Sequence, residues 1–219
     1  MKLNVTFSQK DMSFRPVFDT IIPMDISAVS VQGLLDGSLS GTYENDKIVS
    51  LRLGAFAGCQ NLTKISLPNC VETFGRYTFN ECKNVTKLNL QSLARIGDGN
   101  YTFYGMESLE EISLPSLTTI ESFSGTFWNC TNVKRIELPK LGGTTISTYV
   151  FRYCHTLETL ILGGAFNPLS NTNAFQGTGT KAPNGLRIYV PDDLVDSYKT
   201  ATNWATMAKK ILPISALEG

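Results

Sequence analysis

Apolar residues return along this chain in blocks of two dozen that can be laid over one another on a phenylalanine. Phe56, Phe79, Phe103, Phe127, Phe151 and Phe175 follow at gaps of 23, 24, 24, 24 and 24 residues. The position before each is small or β-branched: Ala55, Thr78, Thr102, Thr126, Val150 and Ala174. Three residues on stand Cys59, Cys82, Met106, Cys130 and Cys154, and six on stand Leu62, Val85, Leu109, Val133 and Leu157. Nine on come Ile65, Leu88, Ile112, Ile136 and Leu160, and eleven on come Leu67, Leu90, Leu114, Leu138 and Leu162. The second half of this apolar run alternates with period 2, so Ile65 and Leu67 point inward while Lys64 and Ser66 point out. Pro68, Pro115 and Pro139 then close the strand, where a missing N–H donor does no harm; Gln91 and Gly163 take that place in two blocks.

A repeat of about 20–29 residues with this pattern predicts a leucine-rich-repeat solenoid. The expectation is an α/β fold: a right-handed solenoid of about six coils with a parallel sheet on one face. The Phe and Cys columns fall on the return path, where a short helical or 3₁₀ turn would pack them against the strand's inner side. Residues 47–191 form the solenoid in this reading, with Ile48–Leu51 as a partial first coil. Residues 1–46 lie outside the Phe register. There Leu3, Val5 and Phe7 alternate as a strand would and Phe14, Val17 and Phe18 suggest a second, so this segment reads as an N-terminal β cap or an attachment segment. Residues 192–219 read as a C-terminal helical cap. Asp192 or Asp193 starts a helix carrying Leu194, Val195, Tyr198 and Ala201, and a further turn holds Trp204, Met207 and Ile211. A helix lying on a membrane surface is the other reading of that segment, with only Lys199, Lys209 and Lys210 to favour it.

The string Gly-Ala-Phe-Ala-Gly-Cys-Gln-Asn-Leu-Thr-Lys-Ile-Ser-Leu-Pro at residues 54–68 resembles the BspA-like leucine-rich-repeat family of bacterial surface proteins. The next four repeats keep that hallmark with variation, and Ile188-Tyr189-Val190-Pro191 with the segment after it is similar to the family's C-terminal end. The opening, Leu3 to Phe7 with Ser13-Phe14, is similar to the N-termini of small prophage-encoded proteins that carry such repeats. The resemblance implies the fold, and for function implies adhesion or other macromolecular binding, at the cell surface or in secreted form, with no shared catalytic motif.

Composition narrows the options further. The 219 residues are 42% hydrophobic, enough for one continuous core, and 19 Lys and Arg balance 19 Asp and Glu. No run of basic residues exceeds two, so neither a nucleic-acid partner nor an anionic membrane is expected. No apolar stretch reaches 18 residues, which argues against membrane insertion. The N-terminus shows no apolar h-region, so no signal peptide is visible, and a place on a phage particle stays open beside the cell surface. The cysteines read as a column of buried free thiols, small hydrophobes interchangeable with Met106. Cys59–Cys82 and Cys130–Cys154 fall within disulfide reach across neighbouring coils, although stacked side chains point the same way. Cys70 reads as core. No cofactor or metal motif is present. The lone His155 occupies the slot of Gln60, Lys83, Glu107 and Thr131, a polar surface position and not that of a general base.

Two surfaces remain as candidates for contact. One is the outward strand column Lys64, Lys87, Glu111 and Arg135, whose charges would pair laterally from coil to coil and serve either solubility or a polar ligand. The other is an aromatic rim: Tyr77, Tyr101 and Tyr149 two residues before the Phe, with Tyr104, Trp128 and Tyr153 just after it. Coil-to-coil stacking explains such a rim as well as a binding hot spot does. The sequence therefore predicts a monomeric, non-enzymatic binding or adhesion module that contacts a protein or glycan. The alternative is a structural or receptor-binding component of a phage or prophage particle.

Overall fold

The structure, a computed structural model, describes residues 40–217. In chain order the strands are β1 (Gly41–Glu44), β2 (Ser50–Leu51), β3 (Leu62–Ser66), β4 (Glu72–Thr73), β5 (Lys87–Asn89), β6 (Arg95–Ile96), β7 (Glu111–Ser113), β8 (Thr119–Ile120), β9 (Arg135–Leu138), β10 (Thr159–Leu162), β11 (Arg187–Val190) and β12 (Ile211–Pro213). One short helix, α1 (Val195–Thr200), lies between β11 and β12. All strand pairs are parallel, as successive coils require.

The expected strand face is present, but in two pieces. The strands β1-β3-β5 form one sheet and β7-β9-β10-β11-β12 another, with no ladder joining β5 to β7. Register places like over like: Ile65 opposite Leu88, Ile112 opposite Ile136, Ile136 opposite Leu160. A third sheet of two-residue strands, β2-β4-β6-β8, runs along the coils where no strand was expected. The strand face also starts earlier than the repeat pattern indicates. Gly41–Glu44 already pairs with β3, although these residues fall in the segment the sequence assigned to the cap. The strand patterns around Leu3–Phe7 and Phe14–Phe18, and the attachment role of that segment, lie outside the described residues.

The Phe column is the spine of the core. Successive rings sit 5.5, 5.5, 5.3, 5.7 and 5.0 Å apart from Phe56 to Phe175, each pair within 29° of parallel. Tyr43 closes one end edge-on at 5.3 Å and Trp204 the other at 5.6 Å. Such near-parallel rings at this spacing stack with an offset, which the aromatic quadrupole favours. Beside them a main-chain ladder ties coil to coil: Phe56, Phe79, Phe103, Phe127 and Phe151 each donate N–H to the carbonyl of the residue before the next Phe, at 2.8–2.9 Å.

All five cysteines are free and buried. The Cys column does more than fill space, which corrects the reading of it as interchangeable hydrophobes. Cys82 Sγ donates to the Phe56 carbonyl at 3.0 Å, Cys130 to Phe103 at 3.1 Å and Cys154 to Phe127 at 3.1 Å. In the sixth coil Thr178 occupies the same slot and its hydroxyl donates to the Phe151 carbonyl at 2.6 Å. The slot selects a small donor that satisfies a buried carbonyl of the preceding coil. Met106, and Cys59 in the first coil, form no such bond among the described residues. Burial pushes the Cys70 and Cys130 thiols up to about 12, and raises Cys154 too, so these side chains stay protonated.

At the C-terminal end, α1 follows a 3₁₀ turn at Asp192–Leu194 and precedes another at Trp204–Lys210. Tyr198 and Trp204 are fully buried. Both hold the buried Asn167: its N–H donates to the Tyr198 hydroxyl at 2.9 Å, and Trp204 Nε1 donates to its carbonyl at 2.8 Å. Asn167 Nδ2 reaches the Leu141 carbonyl and the Tyr198 hydroxyl and its Oδ1 accepts from Thr144 N–H, so one side chain of the fifth coil links the fourth coil to the residues beyond the sixth. Ile211, expected in a helical turn, instead opens β12 and pairs with Ile188.

Candidate functional site

The rim predicted from the tyrosine and tryptophan positions is a continuous half-buried strip. Its positions flank the Phe on the return path, and the backbone explains their spacing. Two residues before the Phe, φ is positive in the first five coils, at Gly54, Tyr77, Tyr101, Gly125 and Tyr149. Two residues after it, φ is positive at Gly58, Glu81, Gly105, Asn129, Tyr153 and Gly177. Each of the first five coils thus makes two left-handed kinks around its core phenylalanine, and the sixth makes the second alone. Glycine takes that conformation without strain, whereas a side chain with Cβ costs roughly 1–2 kcal/mol there. Four tyrosines accept the cost, at φ of 56–65°.

The rings use the glycines as floor. A Cβ on Gly125 would stand 2.7 Å from the Tyr101 ring, and one on Gly177 would stand 2.7 Å from the Tyr153 ring. From there the strip runs on. Tyr77 stacks on Tyr101 at 5.4 Å, Tyr104 meets Trp128 edge-on at 5.4 Å, and Trp128 meets Tyr149 at 5.2 Å. Tyr153 then stacks on His155 at 5.6 Å. All six predicted rim residues are therefore brought together over four coils.

A seventh member was not anticipated. Arg152 lies in the same column as Tyr104 and Trp128, one residue after the Phe. Its guanidinium carbon sits 4.6 Å from the ring centres of Tyr149 and Tyr153 and 5.3 Å from that of Trp128. Nη2 donates to the Tyr153 hydroxyl at 2.9 Å, while Nε is buried between the rings without an acceptor. The column itself carried the signal, because a residue following Tyr104 and Trp128 at the same spacing must fall on the same strip. His155 is not a free surface residue either: Nδ1 lies 3.0 Å from both the Gly177 carbonyl and Thr180 Oγ1. At the other end Lys83 bridges Glu81 at 2.9 Å and Glu107 at 3.4 Å. Burial, and then the Glu81 charge, raise the Tyr104 hydroxyl above its ordinary value.

The strand-face column behaves differently from expectation. Lateral pairing of Lys87 with Glu111, and of Glu111 with Arg135, does not occur. Lys64 pairs with Glu44 at 2.5 Å, and Arg135 turns along its own strand to Glu137 at 2.5 Å. Lys87 and Glu111 stand on opposite walls of a cleft of about 580 Å³ at the break between β5 and β7, with Leu88 on its lining. Its charges therefore form no continuous ladder. Among the described residues, no helix is long and apolar enough to cross a membrane and no His, Cys, Asp and Glu cluster could hold a metal ion.

The BspA type leucine rich repeat region family matches residues 49–181 in six copies. This chain belongs to that family. Among solved structures it is similar to a leucine-rich repeat protein of T. pallidum, with 18% identity, a TM-score of 0.40, and 71% of this chain and 78% of that one covered. It is also similar to one from Bacteroides ovatus ATCC 8483, with 21% identity and a TM-score of 0.38, covering 67% of this chain and 48% of that one. No curated protein matches. Leucine-rich-repeat solenoids generally serve as protein-binding surfaces and not as catalysts, and this repeat family is one of them.

Proposed function

We propose that this chain is a non-enzymatic binding module that grips a protein partner along the aromatic rim of its return face. One observation carries the reading: four tyrosines occupy left-handed backbone slots that glycine fills in neighbouring coils. Strained aromatics on a half-buried strip, in slots that glycine fills in other coils, favour a use beyond packing. Tyrosine and tryptophan supply large contact area at low entropic cost, which suits them as anchors. The family is often surface-associated, which fits an adhesive role.

The test is an array of extracellular-matrix and cell-surface proteins and glycans, screened with the purified chain and with a Tyr104→Ala, Trp128→Ala double variant. Loss of captured partners by the variant, with melting temperature held within a few degrees, supports the rim. Equal capture by both proteins removes it, and capture of glycans alone removes the protein reading.

A further inference from the structure

The rim is not electrically uniform. Its first coils carry Glu81 and Glu107 around Lys83. Toward the other end carboxylates run out: between Leu138 and Pro191 the sequence holds one acid, Glu158, against Lys140, Arg152, Lys181 and Arg187. Glu158 immediately precedes β10, on the strand side of its coil. Near the rim lie Arg152 and His155, and Lys181 N–H donates to the His155 carbonyl.

Arg152 differs from the paired arginines of the solenoid and, unlike Arg52, which lies over the single Phe74 ring, it is held by several rings at once. Arg76, Arg95 and Arg135 each hold a carboxylate. Arg152 forms no ion pair among the described residues. It is fixed instead by three aromatic faces and one tyrosine hydroxyl, so its orientation is set before any acid arrives. A guanidinium has five N–H donors in a rigid planar fork matched to a carboxylate, and stacking makes it a partly desolvated one. Charge-assisted bonds from such a group are roughly twice as strong as neutral ones.

We infer that Arg152 is the carboxylate-recognising point of the rim, and that the partner segment lying across Trp128, Tyr149 and Tyr153 is an extended acidic peptide. This rests on the binding role proposed above and adds the chemistry of the ligand. The peptide's Asp or Glu side chain sits on the terminal guanidinium nitrogens, while its neighbouring residues lie on the flanking rings. The shortage of acids in this part of the chain removes the repulsion that such a peptide would otherwise meet.

The experiment uses the full chain and two immobilised libraries of acetylated, amidated dodecapeptides. One carries Glu at alternate positions and the other has Gln in their place; an arm of sialylated and uronic-acid oligosaccharides runs alongside. The wild-type chain should bind Glu peptides at least tenfold more tightly than their Gln counterparts at low salt. Arg152→Gln and Arg152→Lys should bring that ratio near one, the lysine variant because it keeps the charge but loses the fork. A purely structural arginine would alter stability without touching the Glu-to-Gln ratio. If Arg152→Gln fails to fold, Arg152→Lys decides alone. The inference is overturned by equal binding of both libraries, by binding of neither, by a Glu preference that survives the substitutions, or by binding confined to the acidic glycans. Equal binding that still depends on Tyr104 and Trp128 would leave the rim's binding role standing while removing the acidic ligand.

Discussion

Replacing Phe103 by Ala tests the stacked spine at its middle. Phe103 is fully buried, with Phe79 at 5.5 Å and Phe127 at 5.3 Å, both within 5° of parallel. Collapse around the vacated slot is restricted because both adjoining coils are fixed by main-chain bonds, Phe79 N–H to Thr102 at 2.8 Å and Phe103 N–H to Thr126 at 2.9 Å. The loss should therefore reach the upper part of the range for Phe→Ala, about 4–5 kcal/mol. In a chain of this length that lowers the melting temperature by roughly 8–20 °C. Phe175→Ala, at the end of the column and 8% exposed, should cost clearly less. Urea unfolding followed by far-ultraviolet circular dichroism and tryptophan fluorescence measures both. In a Trp128→Phe background fluorescence reports on Trp204 over the last coil, so a weakened centre should also separate the two probes, as expected when nearest-neighbour coupling is broken in a linear array. A Phe103→Ala loss below about 1 kcal/mol, or a larger loss at Phe175, would refute the stacked-spine account.

Three further outcomes follow from individual contacts. Tyr198→Phe leaves the buried Asn167 N–H without its hydroxyl acceptor and should cost about 1–3 kcal/mol, read as a lower urea midpoint. Tyr77→Gly removes one ring from the end of the rim but relieves its left-handed backbone, so the net change should stay within about 1 kcal/mol; a larger loss would show that the tyrosine is structural. Cys130 ordinarily titrates near 9 and is held protonated in the folded chain up to about 12. Its contribution to stability is then complete below pH 9 and declines as pH rises toward 12, by about 1.4 kcal/mol per unit for each such thiol. Denaturation midpoints at pH 8, 9.5 and 11 should fall, with a shallower fall in Cys130→Val; a flat profile in the wild-type chain would contradict the burial assigned to the thiol.

Most of the core was legible in the sequence because each coil repeats the same side chains over the same backbone, so a column in the alignment is a column in space. Phe56 to Phe175 and Ile65 to Leu160 fell where their spacing put them. The role of the Cys column was hidden because Met106 shares the slot and suggests mere bulk, although Thr178, the only hydroxyl in that register, pointed to hydrogen bonding. Arg152 was missed because an aromatic search passes over a cation, even one in the column of Tyr104 and Trp128. The break between β5 and β7 left no mark: Lys87 and Glu111 obey the same outward pattern as their neighbours, and side-chain patterning does not record main-chain separation. Tyr43 and its strand were assigned to the cap because no phenylalanine register marks the coil they begin.

The left-handed kinks flanking each core ring already accept glycine, asparagine, glutamate and tyrosine in this one chain. Their outward side chains are thus uncoupled from the interior. The edge can therefore be rewritten in neighbouring pairs while the scaffold beneath stays the same, because Gly125 and Gly177 leave the room that the Tyr101 and Tyr153 rings occupy.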